Sequence, residues 1–196
     1  MNRVTAQKFA YCRSRLKGLD RLALSLLFHS APVVFDTKPA ALVNLGKPEG
    51  EPCTLWISHR RDFKEMLEKY LLKVREYRIT GGSMLVFIYQ PHRLFDILAG
   101  GSIPETLAGF GYKEPHKASS VLDSLDDRFS RSFPHELGLL LGYPPKDVTG
   151  FILNNGKHYL LNGYWKVYHN PVQALKTFGN YDKAGEKMLK LFGQIG

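Results

Sequence analysis

Cysteine is scarce in this chain: Cys12 and Cys53 are the only two among 196 residues. A disulfide framework is therefore not expected, and two distant cysteines do not by themselves make a four-ligand zinc site. A reducing cytoplasm is the expected compartment. Long apolar runs are missing as well. The stretch Leu22 to Phe28 is too short to cross a bilayer, so no membrane partner is expected. A secretory signal fits the same region less well, because charges run through the first 21 residues and read better as an amphipathic helix. Repeats and low-complexity linkers are also lacking, so residues 1–196 read as a single globular domain, with a helical subregion over 91–156 as a further division. Acidic residues are outnumbered, 18 against 27 Lys and Arg, for a net charge of +9. The basic residues are spread over many segments, with small groupings at Arg13, Arg15, Lys17, Arg21 and at His59, Arg60, Arg61. That distribution favours solvated helix faces over a nucleic-acid tail.

Hydrophobic spacing supplies the elements. Leu16, Leu19, Leu22, Ala23 and Leu26 share one helical face, predicting a helix from about Thr5 to Phe28 with a break near Gly18. The residues before Pro32 should leave the helical region, making His29 to Pro32 an extended turn. Strands are predicted around Leu42 to Leu45, over Thr54 to Ser58 and, as a continuous apolar run, over Ser83 to Tyr89. Phe63, Met66, Leu67, Tyr70, Leu71, Val74 and Tyr77 fit one long amphipathic helix that stops at Gly81-Gly82. Pro91 to Ser132 reads as mostly helix, with Ser119 or Ser120 capping Val121 to Phe129. Lys157 to Tyr168 is extended, with Asn162-Gly163 either a hairpin turn or a kink in one strand. The tail from Pro171 to Phe192 reads as two short helices. The fold class is α/β, with α+β as the alternative: a small mixed sheet of about four strands, helices packed on it and a helical C-terminal part.

The most specific stretch is FPHELGLLLGYPPKDVTGF, Phe133 to Phe151. Ser132 suits a cap and Pro134 a first helical position, which would place His135 and Glu136 at a helix start. A helix dipole there favours a neutral imidazole, the form that suits a general base, a ligand contact or a bond to a loop carbonyl. HELG is not the zinc-protease motif HExxH, since residue 139 is Leu, and no metal site is indicated. Gly138 and Gly142, four apart, would let a neighbouring backbone approach one helix face.

Together with HSAPVVFDTKPAAL upstream and GKHYLLNGYWKVYHNPVQA downstream, this stretch resembles the bacterial domain of unknown function family 3793, found largely in anaerobic Firmicutes. The likeness covers nearly the whole chain. It implies motif positions that include His29, Lys38, His135, Glu136, Gly142, Tyr143, Asp147, Tyr164, Trp165, Lys166 and Tyr168, and no activity or cofactor. It also implies a cysteine as a frequent occupant at the position of Ser30, which puts thiol chemistry there in doubt for this chain.

The chemistry of these positions points to a small anionic ligand. His29, Lys38, His135 and Lys166 are cationic or can become so, and Tyr143, Tyr164 and Tyr168 are amphipathic walls. A strand places Tyr164, Lys166 and Tyr168 on one face and Trp165 and Val167 on the other. The function expected is a ligand-binding or enzyme-like domain whose pocket joins the 29–38 turn, the helix start at His135 and the 164–168 strand. Catalytic candidates are His135, Glu136 and Ser30, although adjacent His and Glu diverge on a helix and Glu136 is a poor orienter of His135. The alternatives are nucleic-acid binding through the basic surface and a protein-interaction module built on the N-terminal helix.

Overall fold

The computed structural model describes residues 1–35, 37–78 and 82–195. Its centre is a three-stranded antiparallel sheet of β1 (Ala40–Gly46), β2 (Lys73–Arg78) and β3 (Met84–Tyr89), in the order β1-β3-β2. The apolar run Met84–Ile88 takes the central position and is fully buried because both faces of the sheet are covered. Its alternation divides the interior. Met84, Val86 and Ile88 face a core that includes Leu26, Trp56, Leu67 and Met188, while Leu85 and Phe87 face a second core built from Leu94, Leu107, Leu125 and Leu139.

The first core lies under α2 (Gly18–Val34), α3 (Glu51–Ser58), α4 (Arg60–Glu68) and α10 (Pro171–Ile195). The second lies under α5 (Pro91–Leu98), α6 (Ser102–Gly109), α7 (Ala118–Arg131), α8 (Leu137–Leu140) and α9 (Pro145–Leu153). A short hairpin, β4 (Leu161–Asn162) and β5 (Lys166–Val167), rests on the start of α10 and forms a third cluster from Trp165, Val167, Phe178 and Tyr181. Helix α1 (Arg3–Ser14) lies against α2 and α10, where Phe9 stacks on Phe28 at 4.0 Å.

Several expectations are corrected. The sheet is antiparallel throughout rather than mixed, and the strands divide as three plus two. Helix α2 carries Pro32 inside its last turn, so His29 to Pro32 is helical rather than extended. Burial of Phe28, Ala31, Pro32 and Val33 outweighs the local preference of a residue before proline. Thr54–Ser58 belongs to α3: Pro52 sits in its first turn with Glu51, and Cys53 and Trp56 are buried three apart on one face. The long helix expected over 63–77 stops at Glu68. Leu71 adopts φ 59°, and Lys73–Arg78 turns outward to pair with the open edge of β3. Gly81, expected to end that segment, lies outside the described residues. Lys117, not Ser119 or Ser120, is the N-cap residue of α7.

The C-terminal tail is one helix of 25 residues rather than two. Ala174, Phe178, Tyr181, Ala184 and Met188 form an unbroken buried stripe, which carries the helix through its glycines. Finally, Ser132 is the C-cap of α7, and the next helix begins only at Leu137 and lasts four residues. His135 therefore lies in a turn, and so short a helix exerts no dipole of consequence on it.

Candidate functional site

Where the three clusters meet, the structure forms a half-open cavity of about 650 Å³. Its apolar wall comes from Phe28 and Pro32 of α2, Leu42 of β1, Leu141 after α8, and the rings of Phe151, Trp165 and Tyr181. His29, Lys38, His135, Tyr143, Tyr164 and Lys166 all border it, so residues from three distant segments share one concavity. Tyr168, Ser30 and Glu136 do not.

Lys38 stands just before β1, in a connection held by packing. Gly142 adopts φ 78°, and a Cβ on it would lie 2.7 Å from Cδ of Pro39, so the 142–143 turn closes directly on the Lys38-Pro39 segment. The carbonyl of Pro39 accepts from the Gln90 amide at 3.1 Å. The Lys38 ammonium lies over the rings of Tyr143, at 5.2 Å, and Tyr181, at 5.6 Å. Among the described residues it has no hydrogen-bond acceptor and no carboxylate partner. Desolvation pulls its pKa from 10.5 down to about 8.

His29 is exposed on α2, beside the rings of Phe9 and Phe28, and borders the cavity. Desolvation lowers its pKa, and the charges of Arg13 and Lys38 lower it further. Lys166 donates to the Gly156 carbonyl at 2.7 Å, which leaves two of its three N–H donors free of that bond. His135 is exposed, with Phe133 and Phe151 rings at 5.4 and 5.0 Å. Tyr143 stacks on Trp165 at 4.9 Å and donates a long bond of 3.4 Å to the Tyr164 carbonyl; burial pushes its pKa up to about 12. Tyr164 donates to Asp182 at 2.8 Å, and burial together with that bond raises its pKa.

The two buried carboxylates nearby are fully engaged. Asp147 accepts from the Trp165 indole at 2.8 Å and from the amides of Tyr168 and His169 at 2.8 and 2.7 Å. It thereby ties the first turn of α9 to the hairpin. Asp182 accepts from Tyr164 and from the Asn2 amide. Asp147 was a motif position whose role the sequence did not show and Asp182 was not noticed, because a contact spanning 18 residues leaves no local spacing signal. Tyr181 was missed for a related reason: it sits within the buried stripe of α10 and reads as core.

The remaining sequence candidates have structural partners. Ser30 is fully buried in α2, where its hydroxyl donates to the Leu26 carbonyl at 2.7 Å, so it is turned away from any substrate. Glu136 accepts from Arg128 at 2.8 Å and from Tyr112 at 3.4 Å, and so does not orient His135. The side chain of Tyr168 packs on Gly150 instead of the cavity. Among the described residues no Ser, Thr or Cys lines the cavity, and no three His, Cys, Asp or Glu side chains group as a metal site. No helix among them is long and apolar enough to cross a membrane.

A family model described as protein of unknown function, DUF3793, matches residues 26–195. The chain belongs to the DUF3793 family. No curated protein and no solved structure matches it. The DUF3793 match begins inside α2 and leaves out α1, while every residue lining the cavity except Met1 lies within it.

Proposed function

We propose that the cavity binds a small organic anion with an apolar body. The observation that carries this reading is Lys38: a half-buried lysine whose desolvated ammonium has no carboxylate or hydrogen-bond partner among the described residues and borders a half-open cavity walled by rings. An unpaired charge in such a place is costly, and a bound carboxylate would supply the missing partner. His29 and Lys166 add cationic character, while Asp147 and Asp182 are already saturated by their donors. The volume fits the range of about 300–1,000 Å³ usual for small-molecule sites. Cys12 and Cys53 are unpaired, which suits the reducing cytoplasm that belongs to the same proposal.

Calorimetric titration at pH 7 with octanoate and benzoate, set against octanol and benzyl alcohol, tests it. The acids should bind at least about tenfold tighter than the alcohols, a difference worth about 1.4 kcal/mol, and Lys38→Met should erase the preference. Equal affinity for acids and alcohols would remove the proposal. Salt-sensitive oligonucleotide binding that survives Lys38→Met would favour the basic-surface alternative instead.

A further inference from the structure

We infer that Lys38 is a reactive amine, and that the cavity takes a 2-oxo carboxylic acid whose carbonyl carbon forms an imine with Lys38 Nζ. This rests on the anion-binding reading of the same site and narrows its substrate class. A simple carboxylate needs only a cation. The Lys38 site offers more: among the described residues no hydrogen bond holds Nζ, which borders the cavity between two ring faces at 5.2 and 5.6 Å. A lysine held in an apolar pocket is the usual way a protein keeps an amine nucleophilic near neutral pH. With its pKa lowered to about 8, roughly one Lys38 in ten is unprotonated at pH 7, against roughly one in three thousand for an ordinary lysine. A 2-oxo acid places its carbonyl next to the carboxylate, so the charge that draws the ligand in also brings the reacting carbon to Nζ.

The step balances without any redox partner. The Nζ lone pair forms a bond to the carbonyl carbon while the C=O π pair moves to oxygen, and one proton passes from nitrogen to that oxygen to give a carbinolamine. The hydroxyl then takes up a second proton and the C–O bond breaks, its pair leaving with the water, as the nitrogen lone pair closes the C=N bond and the nitrogen gives up its remaining proton. Amine and ketone thus become imine and water. His29 borders the same space, near enough for the Lys38 charge to lower its pKa, and can relay these protons through water.

The test uses the full chain with phenylpyruvate and sodium cyanoborohydride, which reduces an imine to a stable secondary amine. Intact mass and peptide mapping are read after trapping, and phenylacetate, which has no ketone, serves as the competing anion. One adduct per chain is expected, at least tenfold enriched at Lys38 over every other lysine and suppressed by excess phenylacetate. Lys38→Arg, which keeps the charge, should lose that adduct. Adducts scattered evenly over the lysines, or none at all, would overturn the inference. If phenylacetate binds by calorimetry and no Lys38 adduct forms, the imine step alone falls; if neither binds, the anion-binding reading falls with it.

Discussion

Asp147 and Lys38 border the same cavity and hold their charges in opposite ways. On the α9 and hairpin side, Asp147 accepts three hydrogen bonds, from one indole and two backbone amides. On the α2 and β1 side, Lys38 meets the ring faces of Tyr143 and Tyr181 and, among the described residues, no hydrogen-bond acceptor. A buried charge surrounded by its own donors is part of the scaffold, since removing it orphans groups the fold has already desolvated. A buried charge with no partner destabilises the fold unless something outside the chain completes it. The contrast separates what shapes the cavity from what the cavity is for.

Removing the saturated charge should have the largest effect. Asp147→Ala leaves one buried and two part-buried donors unmet, the buried one worth about 1–3 kcal/mol and the others less because water can reach them, so urea unfolding at pH 7 should show a loss of about 3 kcal/mol. A loss below about 1 kcal/mol would break the contrast from the Asp147 side. Removing the unpartnered charge should act in the opposite sense. Lys38→Met keeps the volume and should raise stability at pH 7 by up to about 3 kcal/mol while abolishing anion binding.

The pH dependence sharpens the same point. The folded pKa of Lys38, about 8, lies below its unfolded value of 10.5, so the unfolded chain binds more protons between those values. Stability should therefore rise with pH from about 8 to 10.5, and below 8 the full penalty should remain. Tyr143, Tyr164 and Tyr181, whose raised pKa values work against stability above pH 10, are common to both proteins. The difference between wild type and Lys38→Met isolates the lysine: it should shrink toward zero across that window in paired denaturant titrations. Smaller effects follow elsewhere. Tyr164→Phe removes the donor to Asp182 and should cost about 1 kcal/mol. Ser30→Ala loses only a bond within its own helix and should change stability by less than about 1 kcal/mol, with octanoate affinity unaltered.

What could be read in the sequence depended on how far each signal reached. The central strand was legible because five consecutive buried residues need no partner to announce themselves, whereas Asn162-Gly163 left a hairpin and a kinked strand open, and the pairing of Asn162 with Lys166 decides for the hairpin. Lys73–Arg78 was not legible, because Val74 and Tyr77 fit a helical stripe as well as a strand, and only the vacant edge of β3 decided between them. Pro32 misled for the opposite reason, a local rule yielding to burial. The positions His29, Lys38, His135, Tyr143, Tyr164 and Lys166 were legible as chemistry and as family motif, and they border one cavity. Ser30 and Glu136 shared the motif and serve packing and pairing, since a motif does not tell a ligand from a scaffold. The feature that sets Lys38 apart, a desolvated ammonium with no carboxylate or hydrogen-bond acceptor among the described residues, exists only after folding.

That feature can be measured directly by following the Lys38 ε-carbon through a pH titration by NMR in protein labelled at lysine, assigned by its loss in Lys38→Met, with and without octanoate. An unpartnered, desolvated lysine predicts a pKa of about 8 in the free protein and a clear rise when octanoate binds. A value near 10.5 in the free protein, or one that octanoate leaves unmoved, would contradict it.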